Sequence, residues 1–228
     1  MKTQIRILLI MTVITSGYAQ RSLNADDCSI SINDVVFTKS LNKAKDHIES
    51  LELDKFNMKS GAKSDFFNAA NGTDKYANAP LLLTPVDNKK PFTFIVKVTP
   101  EFSKTYDAGA IYVYIDNDKW QKFAFEMDER KRTRLVTVRT IETSDDNNHD
   151  VVVEKSVFMK ISSDVESIGY YYSTDNLNWQ LTRVYKNNFP ENIWVGISSQ
   201  SPIGEGTKTL FEQCSLSELA VKDFRKGI

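Results

Sequence analysis

The run from Gly109 to Met127, GAIYVYIDNDKWQKFAFEM, constrains this chain more than any other stretch. It reads as two strands joined by a polar turn. Ile111, Val113 and Ile115 alternate with Ala110, Tyr112 and Tyr114 in the first arm. Gln121, Phe123, Phe125 and Met127 alternate with Trp120, Lys122, Ala124 and Glu126 in the second. Successive strand side chains point to opposite faces, so the aliphatic and phenylalanine sets share a core face. A two-residue turn at Asn117-Asp118 would set Val113 against Lys122 and bring a lysine beside the core. A three-residue loop, Asn117-Asp118-Lys119, sets Val113 against Phe123 and Ile111 against Phe125. A one-residue slip reverses every side chain, so the burial pattern predicts the odd loop. Tyr112, Tyr114, Trp120, Lys122 and Glu126 then share the other face. That face has two readings: a binding surface for a polar ring, or an outer face across which amphipathic side chains lie.

The rest of the chain repeats the theme. Strand-like runs are Val35-Val36-Phe37, Leu51 to Met58, Lys63 to Asn68, Leu81 to Thr84 and Phe92 to Val98. Leu135 to Ile141, Val151 to Ile161, Ile168 to Ser173, Trp179 to Tyr185, Ile193 to Ser199 and Thr209 to Leu216 follow. Short strands with turn signals between them predict an all-β sandwich or barrel, and the absence of strand–helix alternation argues against a parallel sheet. Leu41 to Ser50 is charged and suits a helical turn. Asn71 to Asn78 reads as a loop and Ser144 to Asp150 as a polar excursion. One domain is expected over residues 35–228, preceded by a polar segment over 20–34.

The first nineteen residues read as a signal peptide. Lys2 and Arg6 form a positive start, Ile7 to Ile14 is a short apolar run, and Gly17-Tyr18-Ala19 supplies small residues before a cut at Gln20. The apolar run is too short to span a bilayer. The mature protein is therefore expected to be exported, secreted or periplasmic, with no stable membrane insertion. Net charge is −1, which offers no basic field for nucleic acid. The two cysteines, Cys28 and Cys214, sit near opposite ends of the mature chain. A bridge clamping the two ends and a pair of separate buried thiols are both open readings.

Chemical motifs are weak. Glu126-Met127-Asp128-Glu129 resembles part of the carboxylate strand of laminarinase-type jelly rolls. The second carboxylate position holds Arg130 or Lys131 instead, so catalytic residues are not assigned. Asp116-Asn117-Asp118 and Asp145 to Asp150 offer oxygen ligands that suit calcium, but Asn and Asp are also ordinary turn residues, and no metal site or cofactor is assigned. The only histidines are His47 and His149, and neither lies near a cysteine in sequence. Tyr172 to Trp179 reads as an architectural turn, with Asp175-Asn176 supplying its positive backbone angles.

Several segments taken together resemble one family. They are Asp65-Phe66-Phe67, Phe92-Thr93-Phe94, Ala108-Gly109 and Asn117-Asp118-Lys119-Trp120-Gln121-Lys122 with Glu126. Arg134 to Val138, Tyr172-Ser173-Thr174-Asp175 with Trp179, Val195-Gly196-Ile197 and Ser201-Pro202 complete the set. The ordered set is similar to the concanavalin A-like β-sandwiches of unassigned function that include the regulation-of-enolase protein. It departs from them at Phe67, Lys160 and Asn176, where tryptophan, arginine and glycine are usual. The resemblance implies a jelly-roll sandwich of two antiparallel sheets with a concave face. By fold-level analogy that face binds glycans. The expected ligand-binding residues are then Trp120, Lys122, Glu126, Tyr112, Tyr114 and Asp65. Trp120 is expected at the rim, partly exposed, as the main anchor for a glycan or other polar small ligand. A glycan hydrolase with an unrecognised carboxylate pair is the alternative.

Overall fold

The computed structural model describes residues 23–49 and 51–228. Residues 1–19, read as a signal peptide, lie outside the described residues. In chain order the first strands are β1 (Asp26–Ile32), β2 (Val35–Leu41), β3 (Ile48–Glu49), β4 (Lys55–Lys59), β5 (Phe66–Asn68) and β6 (Lys75–Ala77). Next come β7 (Leu81–Asp87), β8 (Phe92–Pro100), β9 (Ala108–Asp116), β10 (Lys119–Met127), β11 (Thr133–Ile141) and β12 (Thr143–Val151). The last are β13 (Val157–Ser163), β14 (Ser167–Ser173), β15 (Gln180–Lys186), β16 (Asn192–Gln200) and β17 (Lys208–Ser217). A single 3-10 turn, Ala44–His47, falls within the charged stretch read as helical. Among the described residues no helix is long and apolar enough to cross a membrane.

The strands form two large antiparallel sheets and one small hairpin. The first sheet runs β1-β2-β7-β16-β9-β10-β11-β12, and the second runs β15-β14-β13-β8-β17-β4-β3. β5 and β6 pair only with each other. The architecture is the expected all-β jelly-roll sandwich. Ile111, Val113, Phe123, Phe125, Phe94, Val96, Val195 and Ile197 all lie in one buried cluster between the sheets. The close approach of the sheets explains a glycine in the middle of this core. A Cβ on Gly109 would come within 2.5 Å of both Thr209 and Val98 side chains. Burying apolar surface at roughly 25 cal/mol per Å² makes this interface the main source of stability.

The central hairpin keeps the predicted faces but by a different route. Asp116 pairs with Lys119 across the two-residue turn Asn117-Asp118, and a bulge between Lys119 and Trp120 then shifts the register. Val113 pairs with Gln121, and Ile111 with Phe123, rather than with Phe123 and Phe125. A bulge adds one residue to one strand and so reverses the parity that a two-residue turn would otherwise impose. The parity argument therefore gave the right faces and the wrong loop.

Two further expectations are corrected. The polar stretch before Val35 is not an appendage, because Asp26–Ile32 forms edge strand β1, which pairs with β2. Its Ile30 and Ile32 reach the core, an alternation too short to stand out among polar neighbours. Ser144 to Asp150 is not an excursion either, since it lies within β12, the opposite edge of the same sheet. An edge strand rich in charge lacks the apolar alternation that marks interior strands, and the charge discourages pairing with another chain. Cys28 and Cys214 are free thiols. Cys28 donates to the Phe37 carbonyl at 3.4 Å on the first sheet, while Cys214 is buried on β17 of the second.

Candidate functional site

The second face of the central hairpin is not open. Tyr112, Tyr114 and Trp120 form a second buried cluster with Leu41, Leu81, Leu83 and Phe66. Phe66, from the β5–β6 hairpin, closes it. Its ring lies 5.6 Å from Tyr112, 6.1 Å from Tyr114 and 6.0 Å from Trp120, edge-on to each. These are favourable aromatic geometries. Trp120 is 0% exposed, and its indole N–H donates to the Asn117 carbonyl at 3.3 Å. Tyr114 donates to Asn117 Oδ1 at 2.6 Å, and the Tyr112 hydroxyl accepts from the Gln200 amide. Trp120, Tyr112 and Tyr114 are thus structural, and the expectation of a partly exposed Trp120 anchor is overturned. A three-residue strand carries too little pattern to announce that it covers a sheet.

Past this aromatic plug, toward the far end of the hairpin, the same face opens into a cavity of about 260 Å³. It is lined by Asp65, Phe67, Tyr106, Lys122, Glu126, Val136, Val138, Asp146 and Pro202. Three of the six expected ligand-binding residues, Lys122, Glu126 and Asp65, come together here. Phe67, Tyr106 and Asp146 were not anticipated.

Each wall has a local cause. Lys122 and Glu126 sit four residues apart on β10 and so project from one face. Val136 and Val138 do the same on β11. Phe66 and Phe67 alternate on β5, so one ring plugs the aromatic cluster and the next faces the cavity. Asp65 begins that hairpin, where its Oδ1 accepts from the Phe66 N–H at 2.7 Å and its own N–H donates to Asn78 Oδ1 at 2.9 Å. Tyr106 lies on the loop between β8 and β9, in the left-handed region at φ 69°. That conformation is uncommon for a bulky residue. The fully buried Asp107 next to it fixes the loop. Its Oδ2 accepts from the Ser103 and Lys104 N–H groups at 2.9 and 2.7 Å, and its Oδ1 accepts from the Ser201 hydroxyl at 2.6 Å. One carboxylate thereby positions Tyr106 and, through Ser201, the neighbouring Pro202.

Among the described residues Lys122 is the only cation lining the cavity, and the protein uses it fully. Only 4% of it is exposed. Its ammonium donates to Asp65 Oδ1 at 3.1 Å, to the Phe66 carbonyl at 2.8 Å and to Gln200 Oε1 at 3.2 Å. An ammonium has three N–H donors, and all three are taken. The carboxyl of Glu126 is pushed up to about 8, chiefly by burial, with Lys122 opposing and the Asp65 and Asp146 carboxylates adding to the rise. Asp146, on the edge strand, is also raised by the desolvating cavity wall, again against Lys122, although its side chain stands at the exposed rim. The cavity can accept hydrogen bonds, donate one from a protonated Glu126, and offer the apolar surface of two aromatic rings.

The other motifs resolve as architecture. Asp128 is buried and pairs with Arg132 at 2.9 Å and Arg134 at 3.0 Å. It also accepts from the Arg130 and Arg132 backbone N–H groups at 2.9 Å, so it pins the turn after β10. Asp118 pairs with Lys75 at 2.9 Å, tying the central turn to β6. Asp175 accepts from the Leu177 and Asn178 N–H groups, and Asn176 takes the positive φ of 63° in the expected architectural turn. His149 bonds Thr137 at 2.8 Å, and burial with nearby Arg183 lowers its ring to about 4. Among the described residues no group of three or more His, Cys, Asp or Glu side chains could hold a metal ion.

The family model described as protein of unknown function (DUF1349) matches residues 41–219. The chain belongs to this family. The matched DUF1349 span includes every residue of the cavity. No curated protein matches the chain. The structure is similar to a functionally unknown protein from Saccharomyces cerevisiae, with a TM-score of 0.72 and 23% identity over 80% of this chain and 96% of that one. It is also similar to a Bacteroides ovatus protein described as Xyloglucan PUL GH43B, with a TM-score of 0.63 and 12% identity over 85% of this chain. The GH43 BlXynB protein from Bacillus licheniformis gives a TM-score of 0.58 and 12% identity over 72% of this chain. The match spans only 38% and 33% of those two GH43 chains. At these identities the likeness shows the sandwich fold alone.

Proposed function

We propose that this DUF1349 chain is an exported, non-catalytic module that holds one residue of a carbohydrate in the Lys122–Glu126 cavity. The observation that carries the reading is the composition of the cavity wall. Phe67 and Tyr106 supply aromatic wall for the apolar C–H face of a sugar, while Asp65, Glu126 and Asp146 line the same cavity for its hydroxyls. A few placed polar groups on a largely apolar wall are what fix the orientation of a small ligand. The left-handed Tyr106 backbone adds support, because strained residues concentrate where a side chain must be aimed. The similarity to about a third of two GH43 chains, one of them described with xyloglucan, supports this reading. Membership of the wider concanavalin A-like group that includes the regulation-of-enolase protein belongs to the same reading. Export rests on Lys2, Arg6, the Ile7 to Ile14 run and Gly17-Tyr18-Ala19.

A glycan array probed with the purified protein tests the reading. Selective capture of a defined glycan is expected, and an array without a hit would contradict it. A second reading is hydrolysis, favoured by the gathering of Glu126, Asp65 and Asp146 in one cavity with Glu126 held as an acid near neutral pH. Turnover of an array hit that is abolished by Glu126→Gln would establish this reading in place of simple binding.

A further inference from the structure

We infer that the preferred occupant of the cavity is a saccharide carrying a protonated amine, an amino sugar rather than a neutral one. This rests on the carbohydrate reading above and names the ligand class of the same cavity.

Lys122 has no N–H left to offer, since Asp65, the Phe66 carbonyl and Gln200 take all three. Asp65 Oδ1 is itself doubly engaged, by Lys122 and by the Phe66 N–H. Among the described residues, the carboxyls of Glu126 and Asp146 receive no side-chain donor. Apart from the Tyr106 hydroxyl and a protonated Glu126, what the wall leaves unmet is acceptor capacity, and the complementary ligand is rich in N–H or O–H donors.

Charge separates an amine from a hydroxyl. Asp65 and Asp146, joined by Glu126 once it ionises, face the cavity against the charge of Lys122. Beyond the wall, Glu129 from the turn after β10 adds to the negative field at Tyr106 and Asp146. Arg132 and Arg134 are committed to Asp128. Phe67 and Tyr106 also line the cavity, and aromatic rings attract cations over their faces. A divalent metal is not the complement, because the described carboxylates do not converge as a metal-ligating group. An ammonium on a sugar ring meets all three features: it donates in several directions, carries one charge, and leaves the C–H face of the ring to the aromatic wall.

An ammonium beside Glu126 favours the ionised carboxylate. Binding then releases a proton from Glu126, whose folded value is about 8. Affinity for the amine consequently rises from pH 6 to about pH 7, a range in which the amine of a 2-amino sugar is still mostly protonated. Neutral sugars show no such rise.

Calorimetric titration of the purified protein tests this with a panel of methyl glycosides. Gluco-, galacto- and manno-configured 2-amino sugars are compared with their 2-hydroxyl and 2-acetamido parents. At least one amino glycoside should bind about tenfold more tightly than both parents, and Asp146→Asn, at the exposed rim, should abolish most of that preference with an unchanged melting temperature. Equal binding of amino and neutral glycosides would overturn the inference and leave the carbohydrate reading standing. No binding by any member of the panel would overturn both.

Discussion

Lys122 Nζ stands 3.1 Å from Asp65 Oδ1, joining a strand at the centre of the first sheet to the hairpin that covers it. The pair anchors the start of the β5–β6 cover, beside Phe66, which plugs the aromatic cluster. It also places Phe67 on the cavity wall.

Removing Lys122 alone should therefore be costly. Lys122→Met leaves the Phe66 carbonyl and the Gln200 amide without their donor and the Asp65 carboxylate without its partner. Breaking a buried, hydrogen-bonded ion pair from one side costs about 3–5 kcal/mol. Urea denaturation of Lys122→Met should show a loss in this range. A loss below about 1 kcal/mol would mean that the cover is held without the Lys122–Asp65 pair.

Trp120→Ala and Tyr106→Ala should separate structure from binding. Trp120 is fully buried among Tyr112, Tyr114 and Phe66, and truncating such a residue costs about 3–5 kcal/mol. Tyr106 is partly exposed on its loop, so its removal should leave the melting temperature within a few degrees. Thermal melts of the two variants check the contrast. Similar destabilisation in both would place Tyr106 in the core.

Stability should carry the signature of Glu126. Its folded value, about 8, lies above the ordinary carboxylate value of 4.5. Between those values the folded state holds a proton that the unfolded state has released, so this group's contribution is full at low pH and declines as pH rises toward 8. Glu126→Gln removes that decline. The variant should match the wild type near pH 4 and melt at a higher temperature near pH 9. A constant difference across the range would show that Glu126 is not the titrating group.

The sulfurs give a further check. Cys214 is buried and burial pushes its thiol up, while Cys28 is held by the Phe37 carbonyl. Cys214 should resist a thiol reagent in the folded protein, and both cysteines should react once guanidinium unfolds it. An intact mass showing a bridged pair before reduction would contradict the free-thiol arrangement.

The sandwich was legible because its core strands alternate cleanly. Phe92 to Val98, Ile111 to Ile115 and Phe123 to Met127 leave one solution for which face is buried. The lone cation and two of the three carboxylates of the cavity were legible too, since Lys122 and Glu126 share that hairpin face and Asp65 stood in a quoted motif. The rest required tertiary information. Phe66 covers a face through a strand of three residues, which has no detectable period. The Lys119–Trp120 bulge leaves no compositional mark. Asp146 lies on an edge strand whose polar sequence reads as a loop, and Tyr106 belongs to a loop aimed by the buried Asp107. Treating a shared strand face as an exposed face was the error that made Trp120 an anchor.

The most direct test is a calorimetric titration of the best glycan-array ligand against the wild type and Tyr106→Ala. A cavity that stacks a sugar on Tyr106 predicts a saturable site in the wild type. It also predicts about a thirtyfold loss of affinity in the variant, equivalent to about 2 kcal/mol, with the fold intact. Equal affinity in the two proteins would contradict the account.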